Sequence, residues 1–311
     1  MKDLRRASSD SKPVKVPMET RTDSSSDLRS RTMFVTLDGA SIEVAFHEHA
    51  KGQNTLLMLH EALGSVSYWK RFPEQLAVAT GVNVLLYSRS GHGLSNGPLA
   101  PRSPGSYNHE VDFVIPNILA HLRIENPILY GHSEGAAIAL LYAARTPGVH
   151  SLVLESPFLV APMFQGSLIE QMAANYAGGA LQRLLGRYHQ DCDKVFHSWV
   201  EWASMLSEGS SPLGLVLPKL HLPVLAMQGS GDGFGTCVHL KRLRAIAPNL
   251  QHEVFMGAGH LLHREQTERV LKVVSQFLSG VGLTEDSSLS PASADTQLVP
   301  RQQCSADRQS N

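Results

Sequence analysis

The chain has no excess of charge: 27 Lys and Arg stand against 28 Asp and Glu, a formal net charge of −1 over 311 residues. Surfaces that hold nucleic acid or an anionic bilayer concentrate positive charge, so no nucleic-acid partner is expected. No apolar run approaches the roughly 18 to 20 residues needed to cross a bilayer, and no membrane span is expected. Cysteine is scarce. Cys192, Cys237 and Cys304 are far apart and odd in number, which gives neither a disulfide framework nor zinc spacing and points to a reducing, cytoplasmic compartment with no bound metal. Internal repeats are absent. Residues 1–31 lack the apolar core of a secretory leader, and Asp3, Asp10, Glu19, Asp23 and Asp27 are out of place in a mitochondrial transit peptide. They are expected to form a disordered tail, as is the Ser/Asp/Gln/Pro-rich stretch 281–311.

What is present suffices for one large core: 42% of residues are hydrophobic and only 18% charged. Ordered structure is expected from about Met33, where apolar runs on either side of Asp38-Gly39 carry a hairpin signature. Continuous apolar runs at 55–60, 83–87, 127–130, 151–156 and 223–228 suit buried parallel strands. Helix-compatible segments alternate with them, the pattern of a mostly parallel twisted sheet with helices on both faces. In the segment 107–122, Pro116 is expected to kink a helix or to mark its true start. From about Phe158 to Leu220 no strand is convincing. A helical cap is therefore expected at 158–220, inserted after the sixth strand of an α/β core made of residues 32–157 and 221–280.

The stretch Pro127 to Leu141 is the centre of the chain. An apolar run leads into Gly131-His132-Ser133-Glu134-Gly135, then into an Ala/Leu-rich helical run. A strand that turns sharply into a helix strains the residue at the corner and lifts its side chain clear of the sheet, and Ser133 is that residue. Free N–H groups of the helix's first turn point at the space above the hydroxyl.

A serine hydroxyl needs a base within hydrogen-bond reach, itself oriented by a carboxylate. Asp232 follows Gly229-Ser230-Gly231 after one buried strand, and His260 follows Gly257-Ala258-Gly259 after the last. Both lie at the carboxyl ends of parallel strands, the edge where Ser133 emerges and where open α/β sheets place their sites. His263, one turn after His260, and Glu155, after the preceding strand, are the alternatives for base and carboxylate. His132 and Glu134 either line a pocket or are incidental to the turn, and Arg89 and His92 read as structural residues of a loop. Trp199 and Trp202 either wall a pocket under the cap or simply pack.

The Gly-His-Ser-Glu-Gly, Asp232 and Gly-Ala-Gly-His segments, together with Ser-Arg-Ser-Gly-His-Gly-Leu-Ser at 88–95, resemble the α/β-hydrolase fold family over roughly residues 33–280. The last segment is similar to that family's Asp-x-Arg-Gly-x-Gly-x-Ser loop, with Ser88 in the Asp position. The resemblance implies a Ser133, Asp232, His260 triad acting on an ester, lactone, thioester or activated C–C bond of a small organic substrate, with no metal or organic cofactor. It also implies an oxyanion hole shaped by His60 and the residues after it, whose donors are the backbone N–H groups of Ala62 and Glu134. Family members usually read His-Gly where this chain has His60-Glu61, so a Glu61 carboxylate facing inward would oppose the oxyanion. His60, Glu61, His132, Trp199 and Trp202 are the candidate substrate-binding residues. A serine nucleophile argues against the epoxide-hydrolase and haloalkane-dehalogenase branches, which carry Asp there. A receptor that keeps the triad without turnover, a cofactor-free lyase or transferase, and a scaffold acting through its tails remain as rivals, and oligomeric state is open.

Overall fold

The computed structural model describes residues 19–22, 27–97, 105–161, 165–206, 211, 217–234 and 237–283. Among these residues, nine strands form one sheet in the order β1-β2-β3-β5-β4-β6-β7-β8-β9. β1 (Glu19–Thr22), β2 (Leu28–Leu37) and β3 (Ala40–His49) form an antiparallel edge, with β3 also antiparallel to β5. β4 (Thr55–Leu59), β5 (Asn83–Tyr87), β6 (Ile128–His132), β7 (Ser151–Glu155), β8 (Val224–Gly229) and β9 (Leu250–Phe255) pair in parallel. Every residue of β4, β6, β7 and β8 is buried, which is why these strands read as unbroken apolar runs.

The expected N-terminal boundary is corrected. Residues 19–22 and 28–31, assigned from sequence to a tail, lie in β1 and β2. Their charges fit an edge: Arg31 lies over the Phe46 ring and 3.5 Å from Glu48, while Leu28 is buried in the core. The Asp38-Gly39 hairpin has φ of 46° and 76° at its two loop residues, the left-handed pair of a type I′ turn.

Helices cover both faces. α1 (Phe72–Thr80) lies on one face, where its Phe72 and Leu76 share a core with Val270 and Val274 of the C-terminal helix. α2 (Ser106–His109) runs through a π-helical turn (Glu110–Val114) into α3 (Ile115–His121), with Pro116 in the first turn, where a missing N–H is tolerated. α3 and α4 (Glu134–Arg145) pack on the opposite face. Between β7 and β8 lie three helices and no described strand: α5 (Gln165–Ala177), α6 (Ala180–Leu185) and α7 (Cys192–Met205). They have a core of their own, in which Tyr176 stacks on Phe196 at 3.9 Å, and this core reaches Ala62 and Leu63 of the loop after β4. α8 (Cys237–Ile246), α9 (Leu262–Glu265) and α10 (Thr267–Gly280) complete the chain, α10 packing beside α1.

Candidate active site at the carboxyl edge of the sheet

Ser133 sits between β6 and α4 with φ 53° and ψ −112°, a backbone conformation that costs a non-glycine residue on the order of 1–3 kcal/mol. Close packing enforces it. A Cβ at Gly131 would lie 2.5 Å from Ala136 Cα, and one at Gly135 would lie 2.1 Å from Leu59 O, so helix and strands meet with no room for a side chain at either position. The Ser133 N–H donates to Glu155 O at 2.9 Å, which ties the corner to β7.

Asp232, in the loop after β8, is held on three sides. Its Oδ2 accepts from His260 Nδ1 at 2.8 Å and from Gln228 Nε2 at 2.7 Å, and its Oδ1 accepts from the Phe234 N–H at 2.9 Å. Burial alone would raise this carboxyl, but the bond and charge of His260 with these two donors keep it below the usual carboxylate range. In turn burial opposes charge on His260, yet Asp232, with Glu61 and Glu155 further off, holds the imidazole above its ordinary value. A carboxylate only accepts, so Nδ1 carries the proton and Nε2 is left with its lone pair. The His260 ring lies 4.7 Å from that of Phe234, and Phe234 lines the same cavity as Ser133. The His260 carbonyl accepts from His132 Nε2 at 2.9 Å, which anchors the loop to the residue before Ser133. Burial drives the His132 pKa down to about 3, so this donor is a neutral imidazole.

The two alternatives from sequence are joined to each other. Glu155 Oε1 accepts from His263 Nδ1 at 2.8 Å and from the His263 N–H at 2.9 Å, while Oε2 accepts from Tyr130 at 2.6 Å. Trp69 and Phe72 close over the His263 ring.

On the other side of Ser133, the loop after β4 is braced carbonyl by carbonyl. Glu61 O accepts from His60 Nδ1 at 2.7 Å and from Arg89 Nη2 at 3.0 Å; Ala62 O lies 3.2 Å from His92 Nε2; Leu63 O accepts from His189 Nε2 at 2.9 Å. His60 Nε2 accepts from the Arg89 N–H, so both its ring nitrogens are engaged within the protein and none is left for a substrate. This corrects its expected substrate-binding role: the ring braces the loop. The Glu61 carboxylate turns back on its own loop to accept from the Leu63 N–H at 2.6 Å, and burial raises its pKa. Glu134, expected to supply a backbone N–H to the oxyanion hole with a side chain that either lines a pocket or is incidental, has its carboxylate bound by Arg89 at 2.7 Å and Tyr107 at 2.9 Å. Arg89 and His92 are the structural loop residues the sequence suggested, while sequence reasoning missed their partners and missed Tyr107 and His189. The one signal for them was the position of Arg89 and His92 within the 88–95 segment.

A cavity of about 30 Å³ opens beside Ser133. Ala62 and Glu134 border it, and Tyr107, Phe158, Trp199, Trp202, Leu206 and Phe234 wall it. Trp199 and Trp202, from α7, thus line the same cavity as Ser133.

A family model described as "Alpha/beta hydrolase family" matches residues 56–273, and the chain belongs to that family. Among curated relatives it is 26% identical over 249 residues to monoglyceride lipase of Mus musculus, covering 70% of this chain and 80% of that one. It is 25% identical over 267 residues to 2-hydroxy-6-oxononadienedioate/2-hydroxy-6-oxononatrienedioate hydrolase 2 of Pseudomonas putida, covering 76% and 92%. An epoxide hydrolase structure from Bacillus megaterium is similar in fold, with a TM-score of 0.61 at 18% identity, covering 79% of this chain and 99% of that one. No helix among the described residues is long and apolar enough to cross a membrane.

Proposed function

We propose that the protein is a serine hydrolase that cleaves esters, or related activated carbonyl compounds, of a compact and uncharged acyl group. His260 Nε2 takes the proton of Ser133 Oγ as that oxygen bonds to the substrate carbonyl carbon. The carbonyl π pair moves onto oxygen, and the N–H groups of Ala62 and Glu134 receive the oxyanion. As the pair returns, the bond to the leaving group breaks and His260 gives that group the proton. Water then repeats the sequence on the acyl-serine, losing its proton to His260, and the acid leaves as Ser133 recovers a proton. Asp232 holds the imidazole in the required tautomer and stabilises its charged form.

The observation that carries this reading is the 2.8 Å Asp232–His260 bond at the rim where strained Ser133 emerges. The acyl specificity rests on the cavity. At about 30 Å³ it holds one or two waters' worth of space, its walls are mainly aromatic, and the bordering carboxylate, Glu134, is neutralised by Arg89. In this role the segment 158–220 is a cap, with Trp199 and Trp202 over the acyl site. The serine at the nucleophile position favours acyl transfer over epoxide opening, and the lipase and C–C hydrolase relatives are consistent with it.

The test is labelling by a fluorophosphonate, followed by turnover of p-nitrophenyl esters of graded chain length. The parent is expected to label at Ser133 and to prefer acetate over benzoate and long acyl chains, and Ser133→Ala to lose both labelling and turnover. A parent that binds such esters without cleaving them would be a receptor on this fold and would overturn the proposal.

A further inference from the structure

Arg89 sits in the loop after β5, away from the three residues that carry the proposed chemistry, yet its guanidinium reaches both halves of the proposed oxyanion site. One nitrogen, Nη2, lies 2.7 Å from Glu134 Oε2 and 3.0 Å from Glu61 O. The Glu61 carbonyl and the Ala62 N–H belong to the same planar, trans peptide unit, so whatever fixes the oxygen fixes the direction in which the N–H points. That oxygen accepts twice, from Arg89 Nη2 and from His60 Nδ1 at 2.7 Å. The Arg89 backbone N–H donates to His60 Nε2 at 3.0 Å and so selects the His60 tautomer that can make the second bond. Residue 89 therefore holds the 61–62 peptide directly through its side chain and indirectly through the His60 ring.

The other half is Glu134, the residue after Ser133. Its side chain, 5% exposed, is held by Arg89 and by the Tyr107 hydroxyl, and this anchors the first residue of α4 against the strand-to-helix corner. A cation on the Glu61 carbonyl also polarises that peptide and strengthens its N–H as a donor, an effect largest where solvent is excluded. Arg89 is itself 8% exposed.

We propose that Arg89 is a positioning residue for the oxyanion site: one guanidinium nitrogen cross-ties the 61–62 peptide to Glu134 and aims the N–H groups of Ala62 and Glu134 at a common point. This rests on the hydrolase reading above. It extends it by placing transition-state stabilisation partly under the control of a side chain that never meets substrate. A purely structural Arg89 would only neutralise the buried Glu134 charge, and the two roles part company when that charge is removed as well.

The experiment compares the parent, Arg89→Met, Arg89→Lys and the double variant Arg89→Met/Glu134→Gln. Each is measured for thermal midpoint, for kcat and KM on the best p-nitrophenyl ester, and for inhibition by phenylboronic acid, which forms a tetrahedral adduct on an active serine. Losing a donor of this kind outright costs about 10²–10³ in kcat, and misaiming one costs less. The double variant is expected to recover most of the stability lost by Arg89→Met. Its kcat is expected to stay about 10- to 100-fold below the parent, KM to hold, and boronate affinity to fall by a factor similar to kcat. Arg89→Lys restores the charge on a shorter side chain whose ammonium does not reach the Nη2 position, and is expected to recover stability more than kcat. A folded double variant with parental kcat and boronate affinity overturns the proposal, as does a loss confined to KM. A parent that neither labels at Ser133 nor turns over any ester overturns the hydrolase reading and takes this inference with it, an outcome separable from the first because it appears before any substitution at residue 89.

Discussion

The protein contains two histidine–carboxylate pairs built to the same plan and placed for opposite ends. Asp232 follows β8 and Glu155 ends the adjacent β7, and their partners His260 and His263 are neighbours in one loop and short helix. Each pair is joined through Nδ1 at 2.8 Å. They differ in where the imidazole faces. The His260 side chain keeps 21% of its surface exposed, beside Phe234, whereas His263 keeps 1% and lies under Trp69 and Phe72. A base must exchange protons with substrate and water, which the first can do. The second has three donors on one buried carboxylate and serves to pin the loop that carries the first. Burial alone would raise Glu155, but His263 and His132 with the Tyr130 hydroxyl hold it down to about 2, as expected of a closed structural site. A shared motif therefore does not fix a shared environment: one imidazole is partly exposed and the other is buried.

The largest effect that would sharpen this contrast is Asp232→Asn. The amide turns a donor toward His260, the wrong tautomer results, and kcat is expected to fall by about 10⁴ with little change in thermal midpoint. Breaking the buried pair should act on stability instead. His263→Ala leaves the Glu155 charge buried without its partner and is expected to cost about 3–5 kcal/mol in urea unfolding while kcat of the folded fraction stays within a few-fold of the parent. The smallest effect concerns pH. His260 is raised above its ordinary value, so activity, which needs it neutral, should fall as pH drops through a midpoint above about 6.5. Glu61 contributes to that rise, so Glu61→Gln should move the acidic limb of kcat/KM to lower pH; a limb that stays in place would remove Glu61 from the electrostatics of the site.

Much of this arrangement was legible in the sequence because it is written locally. Gly131 and Gly135 around Ser133, and short glycine-rich loops before Asp232 and His260, mark the ends of apolar strands, and strand ends on a parallel sheet share an edge. The pairing of Glu155 with His263 was not legible. Each looked like a substitute for a member of the triad, and only their common burial between β7 and α9 makes them partners of each other. Arg89 was opaque for a similar reason: its bonds to Glu61 and Glu134 join three separate loops, and no spacing within one segment encodes them. The N-terminal strands were hidden by composition, since edge strands tolerate the charges that also mark tails.

The central claim, that the exposed pair activates Ser133 while the buried pair holds the fold, is tested most directly by the rate of fluorophosphonate labelling at Ser133 in His260→Ala and His263→Ala, measured at a temperature where both are folded. The account predicts that labelling in His260→Ala falls by at least about 10³, and that His263→Ala labels within a few-fold of the parent. Near-parental labelling without His260, or its collapse in folded His263→Ala, would contradict it.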